Sequence, residues 1–194
     1  MNTELLEIAA EVTPNPNTLK FNVNRALMES GSLSYTDPER AKESLLAGRL
    51  FRIENVIGVM VGRDFVTVTK SPAANWQPLV EPITKTLKEL FQSGKDLFPQ
   101  SGSAVHAHAV SAGASSAAQN DIEAKIRQIL DNEIRPAVAM DGGDITFHGY
   151  QDGVVTLHLQ GSCSTCPSSI MTLKMGVENR LKSLIPEVKE VVQV

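Results

Sequence analysis

Apolar residues recur every three or four positions in some stretches of this chain and every second position in others, and that change of period predicts its elements. Leu79, Ile83, Leu87, Leu90 and Phe91 share one face of a helix over about Trp76–Phe91. Ile122, Ile126, Ile129, Leu130 and Ile134 form a second stripe, with Asn120 or Asp121 as its cap and Pro136 after its end. A third stripe, Ile170, Leu173, Val177, Leu181 and Leu184, is stopped by Pro186. Asp37-Pro38 opens a shorter helix through Leu46, with Asp37 as cap, Pro38 in the first turn and Gly48 as terminator. Strands are predicted at Leu19–Val23, Val56–Val61 and Phe65–Thr69, the last two joined by Gly62-Arg63-Asp64. Further on, Ile145–Tyr150 and Val154–Gln160 flank the turn Gln151-Asp152-Gly153, and Val188–Val194 closes the chain. Ile145, Phe147, Val155, Leu157 and Leu159 fall on one face of that hairpin; Thr146, His148, Thr156 and His158 fall on the other.

Between the two groups of elements the pattern stops. Residues 99–119 are mostly Ala, Ser, Gly and His, too poor in large apolar side chains to offset the entropy of ordering them. This stretch reads as a flexible linker that spans roughly 25 Å on average. The chain therefore reads as α/β (α+β): a small mixed domain over 1–98, the linker over 99–119, and a two-layer sheet-and-helix domain over 120–194.

Composition narrows the function classes. The 194 residues carry a formal net charge of −4, with Lys and Arg scattered, which argues against a nucleic-acid surface. No run approaches the roughly 20 apolar residues of a membrane span. Glu4 and Glu7 stand where a targeting peptide would carry bases, so the default expectation is a cytoplasmic protein. The chain has only two cysteines, Cys163 and Cys166. Two close thiols point to metal or redox chemistry rather than to a disulfide scaffold.

The segment Gly161-Ser162-Cys163-Ser164-Thr165-Cys166-Pro167-Ser168-Ser169 can turn both thiolates toward one centre. Pro167 suits the first helical position, which puts Cys166 beside free amides and the positive end of a helix dipole, an environment that lowers a thiol pKa. The segment contains no acid and no base, as suits an anionic iron–sulfur core. Iron–sulfur clusters and structural zinc usually take four protein ligands. One chain supplies two thiolates, so a two-fold dimer completes the set. Three readings stay open on these residues: a bridging iron–sulfur cluster, a zinc-bridged structural adaptor, and a dithiol oxidoreductase. The hairpin before Cys163 argues against the third, whose fold places a parallel βαβ unit there.

Asp121–Val194 resembles the carboxyl-terminal domain of the NifU family, in its Nfu form. The likeness lies in Arg135-Pro136, Met140-Asp141-Gly142-Gly143-Asp144, Leu157-His158-Leu159-Gln160-Gly161 and Cys163–Ser169. The first domain resembles the Nfu amino-terminal domain through Thr13–Phe21, Leu50-Phe51-Arg52-Ile53 and Asp64–Lys70. The linker is longer and richer in Ala and Ser than that family suggests. The resemblance implies a non-enzymatic carrier or scaffold that holds a [4Fe–4S] cluster, with [2Fe–2S] as the alternative, on Cys163 and Cys166 of two subunits. It implies delivery to apo iron–sulfur proteins, supply by upstream assembly factors, and a client-binding role for the cysteine-free first domain.

Other chemistry-bearing residues have plainer readings. Asp141-Gly142-Gly143-Asp144 is a turn whose glycines reach unusual backbone angles and whose aspartates cap amides. His158 belongs to a polar strand face, His106 and His108 to the linker, and Met171 and Met175 to a helix surface or its packing. Trp76 anchors the first-domain helix.

Overall fold

A computed structural model of the chain describes residues 6–29, 31–98, 117–164 and 167–194. The chain forms two compact units, Met1–Gly102 and Ser103–Val194. Both mix helices with a sheet, as the sequence predicts. No helix among the described residues is long and apolar enough to cross a membrane.

The first unit is built on a five-stranded antiparallel sheet of order β1-β2-β5-β4-β3. Its strands are β1 (Ile8–Val12), β2 (Thr18–Val23), β3 (Leu33–Tyr35), β4 (Val56–Val61) and β5 (Phe65–Lys70). The helices are α1 (Pro38–Ala41), α2 (Leu45–Leu50) and α3 (Gln77–Gln92). The predicted stripe Leu79, Ile83, Leu87, Leu90 and Phe91 is buried against Phe21, Val66 and Val68 from the sheet. Trp76 precedes α3, and its indole N–H donates to the Pro16 carbonyl at 2.9 Å, which ties that helix to the turn before β2.

Two differences from the predicted elements have clear causes. The single helix expected from Asp37 to Leu46 is two helices, because Ser44 interrupts it with extended backbone and caps α2 by accepting from the Ala47 amide at 3.2 Å. Gly48 then lies inside α2 instead of ending it. A Cβ there would stand 3.3 Å from the Ala41 carbonyl, so glycine lets α2 lie close on α1. The edge strands β1 and β3 carried no readable signal: β1 is largely exposed along its length, and β3 is three residues long.

The second unit begins with α4 (Ala117–Ile129), which starts inside the stretch predicted as linker and ahead of the predicted caps Asn120 and Asp121. Residues 99–116 of that stretch lie outside the described residues, and so do His106 and His108. A π-helical turn (Leu130–Ile134) leads directly into α5 (Arg135–Met140). Pro136 therefore sits in the first turn of a continuing helix rather than beyond a helix end, where its missing N–H is tolerated. Strands β6 (Gly143–Gln151) and β7 (Val154–Gly161) pair antiparallel, and β8 (Glu190–Gln193) joins β7 in parallel. A 3₁₀ turn (Ser162–Ser164) separates β7 from α6 (Pro167–Leu184).

The buried core joins Ile126 and Leu130, Ile145, Val155, Leu157 and Leu159, and Val177 and Leu181. The last apolar residue of the α6 stripe is corrected: Leu184 is 45 % exposed, while Ile185, just past the helix, is 2 % exposed. The chain leaves helical geometry there, and the inward position passes to the next residue.

Leu181 is fully buried between helix and sheet. Leu181→Ala is expected to lower the stability of this unit by about 2–5 kcal/mol, the cost of lost burial plus a cavity. Urea titration followed on backbone amide signals of residues 143–194 measures it, and a change within error would contradict this packing.

Candidate metal centre

Gly161 leaves β7 with φ +66° and turns the chain into the 3₁₀ segment that carries Cys163. Opposite it, Gly142 has φ +74° between the end of α5 and the start of β6. Such angles suit glycine because no Cβ is there to clash. The two turns are laced together. The Ser162 amide donates to the Gly142 carbonyl at 3.1 Å, and the Ser162 hydroxyl donates to the Asp141 carbonyl. The Ser164 hydroxyl closes the turn on the Gly161 carbonyl at 2.9 Å.

Cys163 is buried, 6 % exposed, and belongs to the same core as Val138 and Leu159. Its sulfur lies over Gly143: a Cβ at that position would meet Sγ at 2.5 Å, the Gln160 carbonyl at 3.1 Å and Val138 at 3.2 Å. The second glycine of the turn is thus needed for close approach, whereas the first is needed for backbone angle. Cys166 lies outside the described residues, as does Thr165. Helix α6 starts at Pro167, the residue the sequence predicts.

The electrostatic surroundings differ from those of the isolated segment. Burial pushes the Cys163 thiol pKa up, the Ser162 hydroxyl 3.7 Å away works against that, and the charges of Asp141 and Asp144 push it up further. The predicted lowering concerned Cys166; at Cys163 the direction is upward. The segment contains no acid, yet folding brings two aspartates to it.

Asp144 is itself buried, 6 % exposed, at the head of β6. As predicted for a capping aspartate, its Oδ1 accepts from the Ile145 amide at 2.8 Å. Sequence reasoning missed its larger contact. Arg135 closes a fork on it, Nε to Oδ1 at 2.9 Å and Nη2 to Oδ2 at 3.0 Å. The third arm of the guanidinium, Nη1, reaches Asp131 at 3.0 Å, one turn back on the same helical run. These hydrogen bonds hold the Arg135 charge firmly, raising its pKa above the ordinary value, with the Asp144 bond as the largest cause. A spacing of nine residues across a helix–strand junction matches no local pairing pattern, which is why only the fold reveals it.

The remaining residues keep the plain readings. His158 is on the exposed face, its Nδ1 2.9 Å from the Val194 carbonyl. Met171 and Met175 are 60 % and 58 % exposed on α6. Among the described residues no three His, Cys, Asp or Glu side chains gather as a metal site.

Residues 126–192 match the family described as "NifU-like domain", and residues 8–94 match "Scaffold protein Nfu/NifU N terminal". The human "NFU1 iron-sulfur cluster scaffold homolog, mitochondrial" is 43 % identical over 188 residues, 96 % of this chain and 71 % of that protein. The Arabidopsis thaliana "NifU-like protein 5, mitochondrial" is 40 % identical over 190 residues, 96 % of this chain and 67 % of that protein. The Drosophila erecta "NFU1 iron-sulfur cluster scaffold homolog, mitochondrial" is 42 % identical over 191 residues, 96 % of this chain and 64 % of that protein. These relatives overturn the cytoplasmic expectation, since all three are mitochondrial proteins. The expectation rested on a few acidic residues at the start, and the composition of a folded domain does not distinguish one reducing compartment from another.

Gly143→Ala is expected to destabilise the second unit by about 1–3 kcal/mol through overpacking and to push Cys163 from its site. In a Cys166→Ala background, where only Cys163 can react, alkylation should be faster than without the substitution. An unchanged thermal midpoint together with an unchanged rate would contradict this account of the glycine.

Proposed function

From the premise that this chain belongs to the Nfu/NifU iron–sulfur scaffold family, we propose that it is a non-enzymatic carrier whose Cys163 and Cys166 hold a cluster jointly with the same pair of a second copy. A role in iron–sulfur cluster assembly follows from the scaffold relatives. The finer reading is a [4Fe–4S] cargo, with [2Fe–2S] as the alternative, passed to apo-proteins after loading by upstream assembly factors.

The observation that carries this reading is the ligand shortage. The chain has two cysteines, both in the second unit, and among the described residues no three His, Cys, Asp or Glu side chains gather as a metal site. A site with two thiolates per chain is completed by symmetry. The turn is built around the sulfur: Gly143 leaves the space that Sγ fills, and α6 begins at Pro167, four residues after Cys163. A cluster held between two copies is easily opened, which a carrier needs and a buried electron-transfer centre does not.

A dithiol oxidoreductase fits less well. Such folds place a parallel βαβ unit at this point, whereas β6 and β7 ahead of Cys163 pair antiparallel. A zinc-bridged adaptor would use the same four thiolates and is separated by metal analysis. The first unit has no cysteine and is assigned to client binding.

Anaerobic reconstitution with iron and sulfide is expected to give one cluster per two chains, and either Cys163→Ala or Cys166→Ala should abolish it. Mössbauer spectra then give the nuclearity. A protein that takes up zinc but no iron and sulfide, or retains its cluster without both cysteines, would sink the proposal. Removal of residues 1–98 should leave loading intact and slow transfer to some apo-clients; equal transfer rates to every client would remove the role given to the first unit.

A further inference from the structure

The first turns of α6 expose apolar side chains where a surface helix ordinarily exposes charge. Leu173, Val177 and Leu181 form its inward row and pack in the core of the second unit. Met171 and Met175 stand one turn apart on the other side, each more than half exposed. No charged residue occurs between Asp152 and Lys174. The charges that α6 does carry are engaged within the unit: Lys174 with Glu190 at 3.8 Å, Glu178 with Lys182 at 2.6 Å, and Arg180 with Glu133 at 2.7 Å. Helix α3 shows the contrast, since Glu81, Lys85, Lys88 and Glu89 are all exposed on it.

Gly176, the next residue after Met175, is also exposed. Glycine inside a helix is less stable than alanine, and a close neighbour is the usual reason for keeping one. Gly143 and Gly48 have such neighbours. At Gly176 a Cβ would meet nothing within 4 Å. Within one chain this glycine therefore has a cost and no steric reason.

The covalent chain sets this face beside the cysteine pair. Helix α6 begins at Pro167, the residue after Cys166, and Met171 and Met175 follow about 6 and 12 Å along its axis. A second chain that gives thiolates to the same centre stands against these turns.

We propose that Met171, Met175 and Gly176 form the face on which a second copy docks, through its own equivalent face, to bring the two cysteine pairs together. This rests on the cluster-carrier reading above, which requires a second copy but leaves open the surface it uses. A two-fold interface is self-complementary, so the residues of one face meet the same residues of the other. Methionine supplies adaptable apolar contact, and the missing Cβ at Gly176 admits the partner helix closely. A client protein is the competing occupant.

The test uses the full chain, loaded anaerobically with iron and sulfide. It reads mass by sedimentation and the rate of cluster loss after dilution into a ferrous chelator. Met, Lys and Glu have similar helix propensities, so Met171→Lys with Met175→Lys, and Met171→Glu with Met175→Glu, leave α6 intact. Each pair sets like charges against each other across the two-fold axis and is expected to lose cluster about tenfold faster than the parent. The two variants mixed in equal amounts before loading set opposite charges there and should return close to the parent rate. Acceleration with no recovery in the mixture overturns the proposal. So does parent-like mass and cluster loss in both variants with slower transfer to an apo-client, which would make the client the occupant.

Gly176→Ala separates folding from docking. In the cluster-free chain it should raise the thermal midpoint of the second unit by about 4 °C, the gain of alanine in a helix interior. The loaded chain should nevertheless lose cluster faster than the parent. A raised midpoint with unchanged cluster loss overturns the part given to this glycine. If the parent takes up no cluster, the carrier reading fails, and sedimentation of the metal-free chain at high concentration decides the face by itself. Self-association that weakens in each charged variant and returns in their mixture supports it; no self-association of the parent overturns it.

Discussion

The close approach of two turns governs the second unit. Ser162 gives its amide to Gly142 and its hydroxyl to Asp141, and that pair of hydrogen bonds draws the exit of β7 against the entrance of β6. The approach is open only to a backbone without Cβ atoms at its contact points. Gly142 takes a left-handed angle, and Gly143 leaves the space into which Cys163 Sγ settles. Once the turns are joined, the sulfur is buried, its protonated form is favoured, and the residues at the head of β6 become its electrostatic neighbours.

That arrangement contains a conflict. A thiol that packs as a small apolar residue contributes to the core, in company with Val138 and Leu159. A thiolate that binds metal needs its charge stabilised. The upward push on the Cys163 pKa is the signature of the first role. The proposed second role requires that cargo binding displace the proton and that the neighbouring carboxylates be neutralised. Of the two acids, Asp144 is buried and paired with Arg135, and Asp141 is exposed. Metal binding and thiol protonation are competing equilibria on the same atom. Burial of the free Cys163 thiol therefore opposes the thiolate form that a metal would require.

Much of this was legible from residue order. The helical stripes of α3 and α6 and the alternation in β6 and β7 follow from the burial of one face, which periodicity records directly. Proline and capping residues marked Asp37 and Pro167 as helix starts. The pattern failed where burial is partial or the chain too short to repeat. β1 is an exposed edge and β3 is three residues long, so neither alternates. The break at Ser44 and the continuation through Pro136 failed for another reason. Both depend on what lies across from the residue, the Leu97 carbonyl accepting from Ser44 in one case and a π-turn feeding a new first turn in the other.

The sequence by itself determined the cysteine arithmetic: two cysteines three residues apart, ahead of a proline that begins a helix, in a chain with no others. It also determined the glycine pair, because a Gly-Gly turn flanked by aspartates reads as unusual backbone wherever it occurs. The tertiary structure decided which glycine does what, since close approach is a property of the partner strand and not of the turn. It also decided the charge environment of the thiol. The segment around Cys163 is neutral along the chain, and it acquires Asp141 and Asp144, the latter paired with Arg135, only when α5, β6 and the end of β7 converge. Electrostatic interaction depends on distance and burial, and neither is written in the order of residues.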